Sequence, residues 1–174
     1  MREATPEDTE AIVSVTAAGW REAYRGIVSA EKLAALPIER WRHEVSVGLR
    51  RPVDDAFTYV GEIDGAFAGY CFVAAPARDA DSGAQVAELV AMYVDPAYWR
   101  RGIGHALMQA ALDRLAGLPY SEAVLWTFAE NERAVAFYER HGWRRDGGEK
   151  IHARSGEPAV RMRRPLPGVA TMPG

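Results

Sequence analysis

Val94-Asp-Pro-Ala-Tyr-Trp-Arg-Arg-Gly-Ile-Gly-His-Ala-Leu107 closes a β-rich run, turns through a basic loop containing two glycines, and opens a helix. That order makes an anion cradle. The first amides of a helix have no intrahelical partner and carry positive potential. Gly102 and Gly104 let a phosphate approach the backbone, Arg100 and Arg101 add charge, and Ile103 and His105 supply further amides of the same turn. Two glycines alone would serve a tight turn equally well; strand, arginine pair and helix in sequence favour a pyrophosphate. A P-loop is excluded because His105 and Ala106 stand where lysine and a hydroxyl are needed. A dinucleotide fingerprint is disfavoured because Leu107 replaces its third glycine and no early βαβ unit precedes it.

Working outward, Gln85 to Val94 is the β run that feeds the loop, and Asp95-Pro96 stops its ladder. Upstream, 57–63 and 67–74 flank Asp64-Gly65, a two-residue turn signal, and predict a hairpin. Downstream, Ile103, Leu107, Ala110, Ala111 and Leu115 keep helical spacing until Gly117 and Pro119 end it. A strand at 123–128, a helix at 132–141 and two weak strands near 143–145 and 159–164 follow. At the start, Thr5 as N-cap and Pro6 at the first helical position precede an apolar stripe of Ala11, Ile12, Val15 and Ala18. Further helical pieces are expected at 20–26, 30–36 and 37–47. The expected fold class is α/β in the α+β sense: a mixed, mostly antiparallel central sheet flanked by helices.

Composition narrows the function classes. The chain has 174 residues, 48% hydrophobic and 26% charged, with a formal net charge of -3. This is globular usage, and one domain over 1–165 with a frayed Pro/Gly-rich tail at 166–174 is expected. The small negative charge gives no general attraction to nucleic acid or an anionic membrane. No apolar run approaches the roughly 20 residues that span a bilayer, so no membrane partner and a cytoplasmic location are expected. Cys71 is the only cysteine, which rules out a disulfide framework, and within Tyr70-Cys-Phe-Val it reads as a buried small hydrophobe. His43, His105, His141 and His152 lack metal-ligand spacing, so no metal is expected. No Gly-x-Ser-x-Gly element supports a serine hydrolase.

A second constellation is Glu130-Asn-Glu-Arg-Ala-Val-Ala-Phe-Tyr-Glu-Arg-His-Gly-Trp143. Asn131 is a good N-cap and Gly142 a natural C′ residue. Asn131 and Tyr138 are seven apart, so they share a helix face about 10 Å apart along the axis. A long, thin ligand could meet an amide near one end and a phenol near the other.

Together, 87–96, 100–105 and 131–143 resemble the GNAT superfamily of acetyl-CoA-dependent N-acetyltransferases, and by element order the resemblance spans roughly 1–165. The resemblance implies the acyl-CoA N-acyltransferase fold, in which the strand before the glycine loop bulges and parts from the next. The pantetheine arm of acetyl-CoA would then lie on Met92, Tyr93 and Val94, the pyrophosphate on Arg100 to His105, Asn131 against the arm, and Tyr138 at the sulfur. Trp99 departs from the Gln or Arg common at the first loop position. The resemblance also leaves room for a homodimer without specifying an interface.

The chemistry fits these residue types. An amine with a pKa near 10 arrives protonated and must lose a proton before it attacks a thioester. Glu88 is the candidate base, placed by simple alternation on the face of Met92 unless a bulge alters the register; a structural glutamate is the competing reading. Amides near Met92 and Val94 could stabilise the oxyanion, and Tyr138 could protonate the departing thiolate. Some family members that acetylate protein N-termini carry a glutamate where Trp126 stands, which argues against copying their mechanism. Trp20, Tyr24, Trp126 and Phe128 are the candidate acceptor-pocket residues, although each taken singly suits a core. Arg133, Arg140, Arg144 and Arg145 could hold the nucleotide end or form a solvated face. The expected activity is direct transfer of acetyl from acetyl-CoA to a primary amine, with no acyl-carrying nucleophile. The alternatives are a non-catalytic acetyl-CoA sensor and a nucleotide-binding regulatory domain.

Overall fold

The computed structural model describes residues 1–51, 55–78 and 82–167. A seven-stranded sheet runs β1-β2-β3-β4-β5-β7-β6. Its strands are β1 (Arg2–Glu3), β2 (Phe57–Ile63), β3 (Ala66–Ala74), β4 (Val86–Val94), β5 (Glu122–Phe128), β6 (Arg144–Ile151) and β7 (Pro158–Pro165). Every neighbouring pair is antiparallel except β4 and β5. These two are parallel because α4 (Ile103–Leu115) carries the chain back between them. The expected mixed, mostly antiparallel sheet is the one observed.

Helices cover both faces. α4 and α5 (Glu132–Arg140) pack Leu107, Met108, Ala111, Leu115 and Val135 onto Cys71, Val73, Ala87, Leu89 and Leu125. The other face carries α1 (Thr9–Ala23), α2 (Ala30–Ala34) and α3 (Ile38–Arg50), with Ile12, Val13, Ala17, Trp20, Leu33 and Trp41 directed inward. In the β2–β3 hairpin, Asp64 at φ 52° and Gly65 at φ 78° form the tight turn that their sequence signals.

Four local expectations change. Pro6–Asp8 is a separate 3₁₀ turn, and α1 starts at Thr9. The Asp8 carboxylate takes the Thr5 N–H at 2.7 Å and both Arg2 terminal nitrogens at 2.8 Å, which pins the turn to β1. β1 escapes a sequence reading because it is only two exposed polar residues, held by pairing with β2 and by this arginine. The helical piece expected from Trp20 is the last turn of α1, which runs unbroken to Ala23 because Gly19 and Trp20 pack there. β6 extends to Ile151 rather than stopping near Arg145: a register shift between Arg145 and Glu149 absorbs the Gly147-Gly148 pair as an edge bulge, not a turn. Most of the expected tail, 168–174, lies outside the described residues.

Candidate active site

The parallel ladder between β4 and β5 pairs Val86 to Leu89 with Glu122 to Leu125 and then ends, although β4 continues to Val94 and β5 to Phe128. The strands part where β4 bulges: Leu89 pairs with Val73 and Ala91 with Phe72, so Val90 has no opposite residue on β3. Beyond it β4 stays on β3 and β5 stays on β7, leaving a wedge between them. The Asp95 N–H bonds the Ala68 carbonyl on the β3 side, so across the trans peptide the Val94 carbonyl points into the wedge. By alternation the Met92 backbone faces the wedge too, while that of Tyr93 faces β3. Gly69 makes this closeness possible, since a Cβ there would lie 2.6 Å from the Tyr93 carbonyl oxygen.

At the mouth of the wedge the backbone enters the left-handed region at Arg100, φ 63°, and again at Gly102, φ 86°, before α4 begins. The turn exposes the first amides of α4, Ile103, Gly104 and His105, as a concave donor surface. A Cβ on Gly104 would come only to 3.5 Å from Phe137, so the fold itself does not demand glycine there. Trp99 turns inward: its indole N–H donates to the Val94 carbonyl at 2.8 Å, closing the end of the wedge. The Arg133 guanidinium lies 3.6 Å above the Trp99 ring, and among the described residues it forms no ion pair. A cation from α5 therefore stands beside Arg100 and Arg101. Sequence reading left Arg133 undecided because its partner ring is 34 positions away.

Across the wedge, Asn131 caps α5 through its side-chain oxygen, which accepts the Ala134 N–H at 3.2 Å and leaves its amide hydrogens for a ligand. Tyr138, seven residues on, is half-buried against Phe137 and Trp143. Burial holds its phenol above the ordinary range, and the nearby Tyr93 hydroxyl adds to this. The phenol therefore keeps its proton at neutral pH. His105 and His141 tie the cradle to the end of α5: Nδ1 of His141 meets the Phe137 carbonyl at 2.8 Å and its Nε2 meets Nδ1 of His105 at 2.9 Å. A carbonyl only accepts, so His141 carries its proton on Nδ1, and when neutral it accepts from His105.

Glu88 is not on the Met92 face. The bulge at Val90 puts Leu89 and Met92 together on the α4 side and turns Ala91 and Tyr93 toward α1. Glu88 precedes Leu89 and so lies on the α1 side. Its buried carboxylate is held by Arg78, whose N–H, Nε and Nη2 all donate at 3.1 Å. Cys71 is fully buried, its thiol pushed up to about 12 by desolvation and directed at the Leu107 carbonyl. It is chemically unsuited to carry an acyl group.

On the α1 side, Trp20, Tyr24 and Phe128 converge, with centroids 4.9 Å from Trp20 to Tyr24 and 4.6 Å from Tyr24 to Phe128. Trp126 packs against the same cluster, with Lys150 at 3.7 Å and Arg161 at 5.6 Å over its ring. Two residues of this wall had no sequence signal. The Tyr93 side chain accepts the Trp20 indole N–H at 2.9 Å, with the Tyr24 hydroxyl 3.4 Å away. Gly19 admits the Tyr93 ring, since a Cβ there would lie 2.8 Å from its Cδ1. His152, at the start of the β6–β7 connection, packs 5.2 Å from Phe128 and 5.7 Å from Trp20.

A bulged strand parting from its parallel neighbour, with an amide cradle at the mouth, defines an acyl-CoA-type cleft. The sequence profile of the Acetyltransferase (GNAT) family matches residues 19–143, and the chain belongs to this family. It is 30% identical over 103 residues to mycothiol acetyltransferase of Sanguibacter keddieii, covering 59% of this chain and 33% of that protein. It is 33% identical over 90 residues to the same enzyme of Acidimicrobium ferrooxidans, covering 52% of this chain and 28% of the relative. The chain thus spans about a third of the length of these curated relatives. Among solved structures it resembles the PaiA N-acetyltransferase of Thermoplasma acidophilum in complex with coenzyme A. There the TM-score is 0.76 and identity 21%, over 95% of this chain and 97% of that one. A GCN5-related N-acetyltransferase from Kribbella flavida gives a TM-score of 0.71 at 23% identity, over 95% and 96%. Among the described residues no helix is long and apolar enough to cross a membrane, and no group of three potential ligands could hold a metal ion.

Proposed function

We propose that the protein transfers the acetyl group of acetyl-CoA directly to a primary amine within a ternary complex, in the cytoplasm where acetyl-CoA is supplied. The observation that carries this reading is the wedge beyond Leu89 and Leu125, which leaves the Met92 backbone and the Val94 N–H facing space, the Val94 carbonyl being taken by the Trp99 indole, while the cradle of 100–105 stands at its mouth. The pantetheine arm would add to β4 as a missing strand would, with its pyrophosphate on the α4 amides, Arg100, Arg101 and Arg133. Its thioester end then lies toward the bulge.

The amine, on the α1 side, loses a proton through water to the Glu88 carboxylate, which Arg78 holds in place, and attacks the thioester carbonyl. Wedge-facing amides of β4 receive the oxyanion. Collapse breaks the carbon–sulfur bond, Tyr138 gives its proton to the thiolate, and the second proton of the attacking nitrogen passes through water to the Tyr138 phenolate, restoring the phenol. The buried, strongly protonated Cys71 supports direct transfer. The test is release of free coenzyme A thiol against a panel of amines, with the acetylated amine identified by mass. Amine-dependent release is expected. In parallel, acetyl-CoA should raise Tm, by the equivalent of about 2.7 kcal/mol at a hundred times its Kd, while ATP and NAD do not. Tight acetyl-CoA binding without amine-dependent release would replace this reading with that of a sensor.

A further inference from the structure

We infer that the acceptor is an amine whose skeleton also carries an anionic group, a carboxylate or a phosphonate, held by Lys32 and Arg154 beside Trp20. This rests on the acetyl-transfer reading and names the substrate class of its acceptor side.

Between α2 and the β6–β7 connection lies a depression of about 120 Å³, lined by Trp20, Val28, Leu36 and Pro37 among apolar groups, and by Lys32 and Arg154 as its only charged residues among those described. A water occupies about 30 Å³ of liquid, so the space takes an anionic head and a carbon or two, not a whole acceptor. Lys32 is the N3 residue of α2 and its ammonium donates to the Ser155 carbonyl, which leaves two of its hydrogens unspent. The Arg154 guanidinium rests 5.3 Å from the Trp41 ring, and among the described residues no carboxylate pairs with it. Two cations share one small apolar-walled depression, and no acid offsets them there; a bound anion would. Nearby acids are committed elsewhere or point away: Asp146 is held by Arg161 and Arg163, while Glu31 and Glu157 do not line the depression.

His152 reports the same field. Burial first, then Arg154 and Lys150, keep its imidazole below the ordinary range. Its Nδ1 accepts the Ser155 N–H at 3.2 Å and faces the Ser155 hydroxyl at 3.0 Å, so the neutral ring carries its proton on Nε2 and adds a donor, not an acceptor. Trp20 joins the depression to the catalytic wedge, because its indole N–H bonds Tyr93 on β4 and its ring lies 4.9 Å from Tyr24 and 5.9 Å from Phe128. An acceptor with its anion on Lys32 and Arg154 would lay an apolar body along Trp20 and present its amine near Tyr93, about one aromatic ring away.

The experiment compares matched pairs in the thiol-release assay: 6-aminohexanoate and 4-(aminomethyl)phenylacetate, each against its own amide, with 4-(aminomethyl)benzylphosphonate against the same phenylacetamide as the phosphonate arm. With the amine several bonds from the acid group, its basicity hardly differs between acid and amide, so a preference for the acid reports binding. At least one anionic acceptor should exceed its neutral partner in kcat/KM by tenfold or more, and the arm that wins identifies the anion. Arg154→Gln, a surface change, should shrink that ratio by about tenfold, and the Lys32→Gln Arg154→Gln pair should abolish it. In the unaltered protein, 3-phenylpropionate should inhibit competitively with the amine and its amide should not. Amides used as well as or better than acids, or a ratio that survives in the double variant, overturns the anion site while leaving acetyl transfer standing. If no amine of either kind is acetylated although acetyl-CoA raises Tm, the transfer reading fails and takes this inference with it.

Discussion

The proposed cofactor side of the cleft is built mainly of backbone, whereas the proposed acceptor side is built of side chains. On the first, a bulge at Val90, left-handed turns at Arg100 and Gly102, and the start of α4 create the donors, to which Arg100, Arg101, Arg133, Asn131 and Tyr138 add side-chain groups. On the second, Trp20, Tyr24, Phe128, Tyr93 and His152 come from α1, β4, β5 and the β6–β7 connection, and no single segment contains them. A backbone site tolerates changes of side chain but not of chain path. A side-chain site behaves the other way, which allows one cofactor geometry to be combined with many acceptors.

The sharpest way to break that contrast is Gly69→Val. A Cβ at 2.6 Å from a backbone oxygen cannot be relieved by a rotamer. The variant should lose about 3 kcal/mol in denaturant unfolding and bind acetyl-CoA weakly even where folded; native stability would show that β4 is not held by this approach. Next in size is Tyr138→Phe, which should lower kcat about tenfold with KM for acetyl-CoA unchanged, because a thiolate is already a fair leaving group. A KM effect alone would instead make the phenol a binding group.

Arg133→Ala probes a side chain on the backbone-built side. It should raise KM for acetyl-CoA about fivefold at low salt and less at high salt, as expected for a partly exposed cation facing phosphate. Insensitivity to salt would show that Arg133 serves only Trp99. A smaller, pH-dependent effect belongs to Asp8. Its hydrogen bonds from Arg2 chiefly hold its carboxyl below the usual range, against the opposing effect of burial. A lowered folded pKa means the stabilisation is complete above the unfolded value near 3.9 and is lost as pH falls through the folded one. Arg2→Ala should therefore flatten the fall of Tm below about pH 4 and matter least for activity. Smallest of all, Cys71→Ala should leave turnover per folded molecule intact, and intact-mass measurement of the unaltered protein with acetyl-CoA should show no acetyl adduct.

Much of the cofactor side was legible because its causes are local. Asp95-Pro96 ends a strand, Gly102 permits a left-handed turn, and Ile103 to Leu115 repeats at helical spacing, all within about twenty residues. Glu88 shows where that legibility stops. Its side was read by alternation, and one unpaired residue at Val90 reversed it, since a bulge depends on how β3 and β5 both meet β4. Arg133 was ambiguous for a similar reason: a helical arginine reads as a solvated face until Trp99 is found beneath it. The aromatic candidates were legible as residue types but not as a group: Trp126 packs against the same cluster as Trp20 and Phe128, and Lys150 and Arg161 from β6 and β7 lie over its ring.

By itself the sequence determined the element order from β2 onward, the hairpin at Asp64-Gly65, the cradle at 100–105 and the cap at Asn131. Each follows from backbone preferences and hydrogen-bonding needs that act over a few residues. Only the tertiary structure decided the point at which β4 and β5 part, the face on which Glu88 stands, the Tyr93 side chain as the link between the two sides, and the pairing of Lys32 with Arg154. Those depend on strand register and on contacts between residues far apart in the chain, as between Lys32 and Ser155, and no local preference encodes them.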